Sequence, residues 1–275
     1  MGKVFYNQGG KLGETDGGAL FVTGQNTTIS HSEFIECSSP NQAGAIKVIG
    51  NGTLIDNCTF LRCTVPEDGG ALFVGGLDCK VYNSTFTDNT AGDDGGAILW
   101  EGARGLIYNS TFTNNKAIGL DGAHASGGAI NLVGDYTLVE KSKFDKNTAI
   151  VNGGSIYASG DYINITDSTF SNSNVTHTYE KNYAHGGGAI YIEGDDTNII
   201  NSTFDQTNAR VGGVIYVQGD LATIIDSTIT NSNAVTGGAV YIDGQHASVI
   251  NSTFNSTNAK TTSSFVTDNK GAIMN

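Results

Sequence analysis

Carboxylates, aromatic hydroxyls and imidazoles recur in this sequence at spacings that could do chemistry. Asp68, Asp93 and Asp94, together with Glu14, Asp16 and Glu67, stand just ahead of recurring glycine pairs, and Asp135, Asp161, Asp195 and Asp220 follow a recurring single glycine. Like charges stacked in such columns repel by roughly 1 kcal/mol in water and more at lower dielectric. They are therefore either well solvated or bridged by a cation. Calcium takes oxygen-rich sites with several carboxylates, which makes Asp68, Asp93 and Asp94 the candidate ligands and Ca2+ the candidate cofactor. Tyr157, Tyr191, Tyr216 and Tyr241 occupy one position of four successive repeats. This fifth position of the repeat is expected to point outward, where a flat aromatic strip either stacks on sugar rings or stabilises the chain as a ladder. The stretch SNSNVTHTYEKNYAHG adds His177, Tyr179, Tyr183 and His185 as candidate ligand contacts, with Glu180 and Lys181 between them. His124, His177 and His185 do not follow a recognised metal-ligand spacing.

Cys37 and Cys63 fall 26 residues apart at one repeat position. Stacking of repeats would set their Cα atoms about 5 Å apart, a separation that a disulfide tolerates. The alternative is that these two, with Cys58 and Cys79, are small buried residues, all four reduced. Cleavage of a polysaccharide would need clustered carboxylates and a basic residue in a groove. Arg62, Arg104 and Arg210 instead fall at different repeat positions, outside any obvious acidic cluster. A repeat this regular also lacks the local rule-breaking that active sites show. The chain is expected not to be an enzyme.

The elements that must position these residues come from a repeat. GGAIYIEGDDTNIINSTF from Gly187, GGVIYVQGDLATIIDSTI from Gly212 and GGAVYIDGQHASVINSTF from Gly237 align without a gap, 25 residues apart. The same frame runs back through Gly153, Gly127, Gly95, Gly69 and Gly17, which makes the chain a solenoid of 25–26-residue units. Within a unit, short alternating runs carry Ile, Val and Leu at the fourth and thirteenth positions and Phe at the eighteenth (Phe60, Phe86, Phe112), the period of β-strands. Several glycines per unit exclude helical repeats, since each costs a helix about 1 kcal/mol. Glycine fills the eighth position of every complete unit, so that position needs positive φ or close backbone approach. Asn57, Asn83, Asn109, Asn201 and Asn251 recur where the inward parity shifts, at a bend suited to left-handed backbone. Each unit therefore reads as three strands and three turns. The expected fold is all-β, a parallel β-helix of about ten coils in one domain over residues 1–275. Three longer spacers, about 114–126, 171–186 and 255–270, fall at one turn and should project from one edge.

Thirty-eight glycines, two prolines and a formal net charge of −13, with only 14 Lys and Arg, complete the picture. That balance argues against nucleic acid, which needs clustered base, and against an anionic membrane surface. No apolar run is long enough to span a bilayer. The GGAI phrase alternating with FxxN (Phe86 to Asn89, Phe112 to Asn115, Phe144 to Asn147) resembles the chlamydial polymorphic outer-membrane proteins. The wider NSTF phrase is more similar to the adhesin-like surface proteins of methanogenic archaea. Ser173, Thr207 and Thr257 replace the Asn of FxxN and weaken the first likeness. The resemblance implies a right-handed β-helix displayed outside the cell with a role in attachment, and it assigns no ligand. The expected partner is a surface glycan or another cell's surface, and the chain is expected to be a monomer. The alternative is an inert stalk, and a carbohydrate-active enzyme comes third. The chain starts within a partial repeat and stops at GAIMN in mid-strand, as a fragment of a longer surface protein would.

Overall fold

The structure is a computed structural model that describes residues 2–5, 17–120, 125–176, 186–260, 265–267 and 273–274. These residues form a right-handed parallel β-solenoid of about nine turns, all strand and turn. Three ten-stranded parallel sheets run its length. The first contains Leu20–Val22, Ile98–Trp100 and Val240–Ile242, the second Thr28–Ser30, Leu106–Tyr108 and Ser248–Ile250, and the third Ser32–Ile35, Thr111–Thr113 and Thr253–Asn255. Residues one coil apart pair directly, as in Ile98 with Ile130, Ile107 with Val139, and Phe112 with Phe144.

A fourth strand per coil was not expected. Two-residue strands such as Thr90–Ala91 and Lys116–Ala117 follow the third sheet and build a five-stranded sheet from Thr64–Val65 to Asn174–Val175. Two residues offer no alternation to read. Isolated bridges from Asn174 to Asn208 and from Asn208 to Asn233 carry the same column to Asn233–Ala234 and its partner Asn258–Ala259.

Inside, like side chains stack on like. The rings of Phe34, Phe60, Phe86, Phe112, Phe144, Phe170 and Phe204 lie face to face at 4.6 to 5.0 Å, fully buried. Burial of each ring contributes about 2–3 kcal/mol, and the offset stack adds up to about 1 kcal/mol per pair. The Asn of FxxN also points inward. Asn115 is fully buried: its Nδ2 donates to Asn147 Oδ1 at 3.1 Å and to the Phe86 carbonyl at 3.1 Å, while its Oδ1 accepts from Asn89. A parallel serine column, Ser84, Ser110, Ser142, Ser168 and Ser202, accepts the amide of the preceding coil and donates to a carbonyl two residues back. A buried polar atom without a partner costs about 1–3 kcal/mol, and these columns satisfy theirs by copying one contact upward.

The bend asparagines do adopt left-handed backbone, with φ of 53° at Asn57, 50° at Asn83 and 47° at Asn201. Glycine at the eighth position is explained by the other of its two readings, close approach. A Cβ on Gly102 would lie 1.9 Å from the Gly76 carbonyl oxygen. Positive φ falls instead on the first glycine of each pair, 63° at Gly95.

Candidate functional site

The tyrosine strip is the first correction. Tyr191 and Tyr216 are only 6% and 5% exposed, and Tyr157 and Tyr241 are half-buried. Their rings stack at 4.7 to 5.5 Å, so the ladder reading holds and the exposed-platform reading does not. The repeat position of these tyrosines does face away from the main core. The backbone around the glycine pair, however, folds over it. A Cβ on Gly186 would lie 2.5 Å from the Tyr216 ring, and Ala43 packs with Phe73 and Leu99 of the same column. The hydroxyls are used internally: Tyr191 donates to Gln218 Oε1 at 2.6 Å and Tyr157 donates to Glu193. Burial first, then the neighbouring carboxylates, push both phenols up.

The cysteines are the second correction. Cys37 and Cys63 are thiols, fully buried, not a disulfide. They fill the inward column that Asn89 and Asn115 fill higher up, which places FxxC where FxxN would be. Each Sγ turns to a carbonyl, Cys37 to Ile35 at 3.8 Å and Cys63 to Phe34 at 3.7 Å. The Cys37 side chain, then burial, hold the Cys63 thiol well above its usual range. His177, Tyr179, Tyr183 and His185 lie outside the described residues, as do Glu180 and Lys181, and His124 of the first spacer.

The acidic columns are partly coil-to-coil caps. Asp135 accepts the Asp161 amide at 2.9 Å, Asp161 that of Asp195 at 2.8 Å, Asp195 that of Asp220 at 2.7 Å, and Asp220 that of Gln245 at 2.6 Å. Each charge thus meets a backbone donor of the next coil, which offsets the repulsion within the column. The other acidic stripe uses the same device, Asp68 accepting the Asp94 amide and Asp94 that of Ser126. Here, however, three carboxylates converge. One oxygen from each of Asp68, Asp93 and Asp94 lies within 4.8 Å of the others. Burial, then the charges of Asp93 and Asp68, push the Asp94 carboxyl up to about 7 against the opposing Ser126 amide and Asn131 side chain. The structure therefore brings together the three carboxylates expected as calcium ligands.

Sequence reasoning missed a surface site on the second sheet. Tyr82, Asn83, Leu106, Tyr108 and Glu140 line a shallow groove there. Tyr82 and Tyr108 are direct strand partners and meet edge to face, with centroids 5.5 Å apart at 86°. Lys141 Nζ lies 5.1 Å from the Tyr108 ring centroid and 2.8 Å from Glu140 Oε1. The available signal was a change of type along an outward column, which reads Ser30, Asp56, Tyr82, Tyr108, Glu140, Thr166, Ile200, Ile225 and Ile250. A second missed pair, Tyr136 and Tyr162, stacks at 4.6 Å on the exposed turn after the eighth-position glycine.

Neither the curated proteins nor the solved structures contain a match to this chain. One family model does match, described as a right handed beta helix region, over residues 18–174. That match covers more than half of the chain, so the protein belongs to the right-handed β-helix family.

Proposed function

We propose that this chain is a non-catalytic, extracellular segment of a cell-surface protein, a monomer that attaches to a glycan or to the surface of another cell. A β-helix fits a surface or structural role. The likeness of the GGAI, NSTF and FxxN phrases to archaeal adhesin-like and chlamydial surface proteins supports the finer reading. The observation that carries it is the groove of Tyr82, Asn83, Leu106, Tyr108 and Glu140. A sugar ring offers C–H faces and hydroxyls together, and edge-to-face tyrosines beside a carboxylate and an amide complement both. Lys141 and Glu140 form an exposed pair, and exposed pairs are worth well under about 1 kcal/mol. The lysine can therefore leave the Tyr108 face to an incoming ligand.

Arg62 and Arg104 support the non-catalytic part of the reading. Arg62 pairs with Glu36 and Arg104 with Asp78, each across one coil step on the exposed surface, as structural clips. The family also contains polysaccharide-degrading enzymes, so release of soluble sugar from any polysaccharide would favour catalysis instead.

A spacer without a ligand is the second reading. It is favoured by the buried tyrosine ladder and by the acidic column, whose carboxylates are bonded to the next coil. One experiment separates the two. The purified chain is passed over immobilised polysaccharides and intact cells beside the Tyr82→Ala, Tyr108→Ala double variant. Attachment through the groove predicts at least a tenfold loss of retention in the variant, with its melting temperature nearly unchanged. Equal retention of variant and parent would sink the groove and place attachment elsewhere on the chain, and no retention by either would leave the spacer.

A further inference from the structure

We infer that Asp68, Asp93, Asp94 and Asn131 form a binding site for a single Ca2+ between two consecutive coils, at the root of the first spacer. The distances fit. Oxygens bound to calcium lie about 2.3–2.6 Å from the ion, so two on opposite sides stand about 5 Å apart. One oxygen from each of the three carboxylates falls within 4.8 Å of the other two. An acidic cluster alone would not suffice, because the same stripe has a structural use: Asp68 Oδ1 accepts the Asp94 amide at 3.0 Å and Asp94 Oδ1 the Ser126 amide at 2.7 Å.

Asn131 supplies the independent observation. Its side chain is 3% exposed and enters the cluster, Nδ2 lying 2.9 Å from Asp94 Oδ2. Its Oδ1 is buried and has no hydrogen-bond partner. Buried amide oxygens are rarely left this way. A half-turn about the terminal torsion exchanges Nδ2 and Oδ1. That exchange sets a fourth oxygen beside Asp94 and leaves Nδ2 where Oδ1 stood, so it is favourable only once a cation stands between Asn131 and Asp94. Asn131 also interrupts its own column, where Phe73 and Leu99 lie directly below and Tyr157, Tyr191 and Tyr216 above, the other polar member being Lys47 two coils below Leu99. An apolar side chain would pack there, as Leu99 does, so the break coincides with the convergence of acids. Four oxygens with no nitrogen or sulfur select a hard cation, and the three carboxylates with a yielding geometry favour calcium over magnesium.

The test uses the whole chain, freed of metal with EDTA and titrated with CaCl2, MgCl2 and NaCl of equal ionic strength, with calorimetry and melting temperature as readouts. One Ca2+ per chain is expected, with a calcium-dependent rise in melting temperature that Mg2+ matches poorly and NaCl does not match. Asn131→Leu should weaken calcium binding at least tenfold and melt no lower than the parent without metal. Asp93→Asn with Asp94→Asn should abolish binding. Absence of calcium heat in the parent would overturn the site, and so would an equal response to all three salts, which is charge screening only. Unchanged affinity in Asn131→Leu would remove Asn131 from it.

Discussion

The residue scale separates what a repeat position dictates from what its neighbours decide. Phe112 could be placed in the core from spacing alone, because a buried ring at coil intervals has only one interior to enter. Cys37 and Cys63 show the limit. Equal positions in adjacent coils suggested a bridge, yet the structure uses that column for inward groups that hydrogen-bond to carbonyls, and a thiol serves as the small member of the series. The Cys37 contact, then burial, hold the Cys63 thiol protonated, and the thiolate is the reactive form. All four thiols should therefore resist an aromatic disulfide reagent at pH 8 in the native chain and react after unfolding in urea without reductant. Recovery of only two thiols from the unfolded chain would restore the Cys37–Cys63 bridge. Asn131 was legible only as an irregularity, since its meaning depends on Asp94, 37 residues earlier in sequence and 2.9 Å away in space.

At the scale of the element, the sequence declared its strands through β-branched alternation but hid the geometry of its turns. Tyr191 was expected outside because parity pointed it away from the main core. Parity does not report that the glycine-pair backbone then closes over the same side chain, and that closure is a tertiary event. The eighth-position glycine column was legible as a requirement for glycine but not for its reason. It is a line of carbonyl oxygens, each filling the space where the next coil would need a Cβ. Ala at such a position must push two coils apart, and a substitution that the native backbone cannot accept costs more than about 1 kcal/mol. Gly102→Ala, where the added carbon would meet the Gly76 oxygen at 1.9 Å, should lower the urea midpoint clearly. The control is Gly24→Ala, the same position in an early coil, where the glycine is exposed. Among the described residues, the nearest atom to a carbon added there is the Thr27 side-chain oxygen at 3.2 Å, so the midpoint should change little. Equal midpoints for the two variants would show that close approach is not what the column requires.

For the whole molecule, the fold was the most legible property and the site the least. The coil is fixed by the average of many copies, so noise at one position does not hide it. A binding surface is a departure from that average, and it looks like noise until the neighbouring coils are in place. Tyr82 and Tyr108 are such a departure, two aromatic members of an outward column that is otherwise polar from Ser30 to Thr166 and apolar only from Ile200 upward. Stability in a stack of this kind comes from each coil and its two neighbours, so the loss of one entire coil should be tolerated where the loss of part of a coil is not. Removal of 212–236 brings the coil of Gly187 against the coil of Gly237, with Tyr191 over Tyr241, Ile199 over Val249 and Phe204 over Phe254. That shortened chain should keep its strand-type circular dichroism and unfold in one transition. Removal of 212–223 should not. A shortened chain that failed to fold would show that the coils are not interchangeable.

That in-frame equivalence of coils has a consequence for ancestry. Because the amide ladders, ring stacks and glycine contacts restart with each coil, most often every 25 or 26 residues, misaligned recombination between two copies of the coding repeat would insert or remove a complete coil with its contacts intact. Lineages carrying such a gene are free to vary the length of the protein far faster than they can vary its cross-section, and relatives should differ first in the number of coils and only later in what any one coil contains.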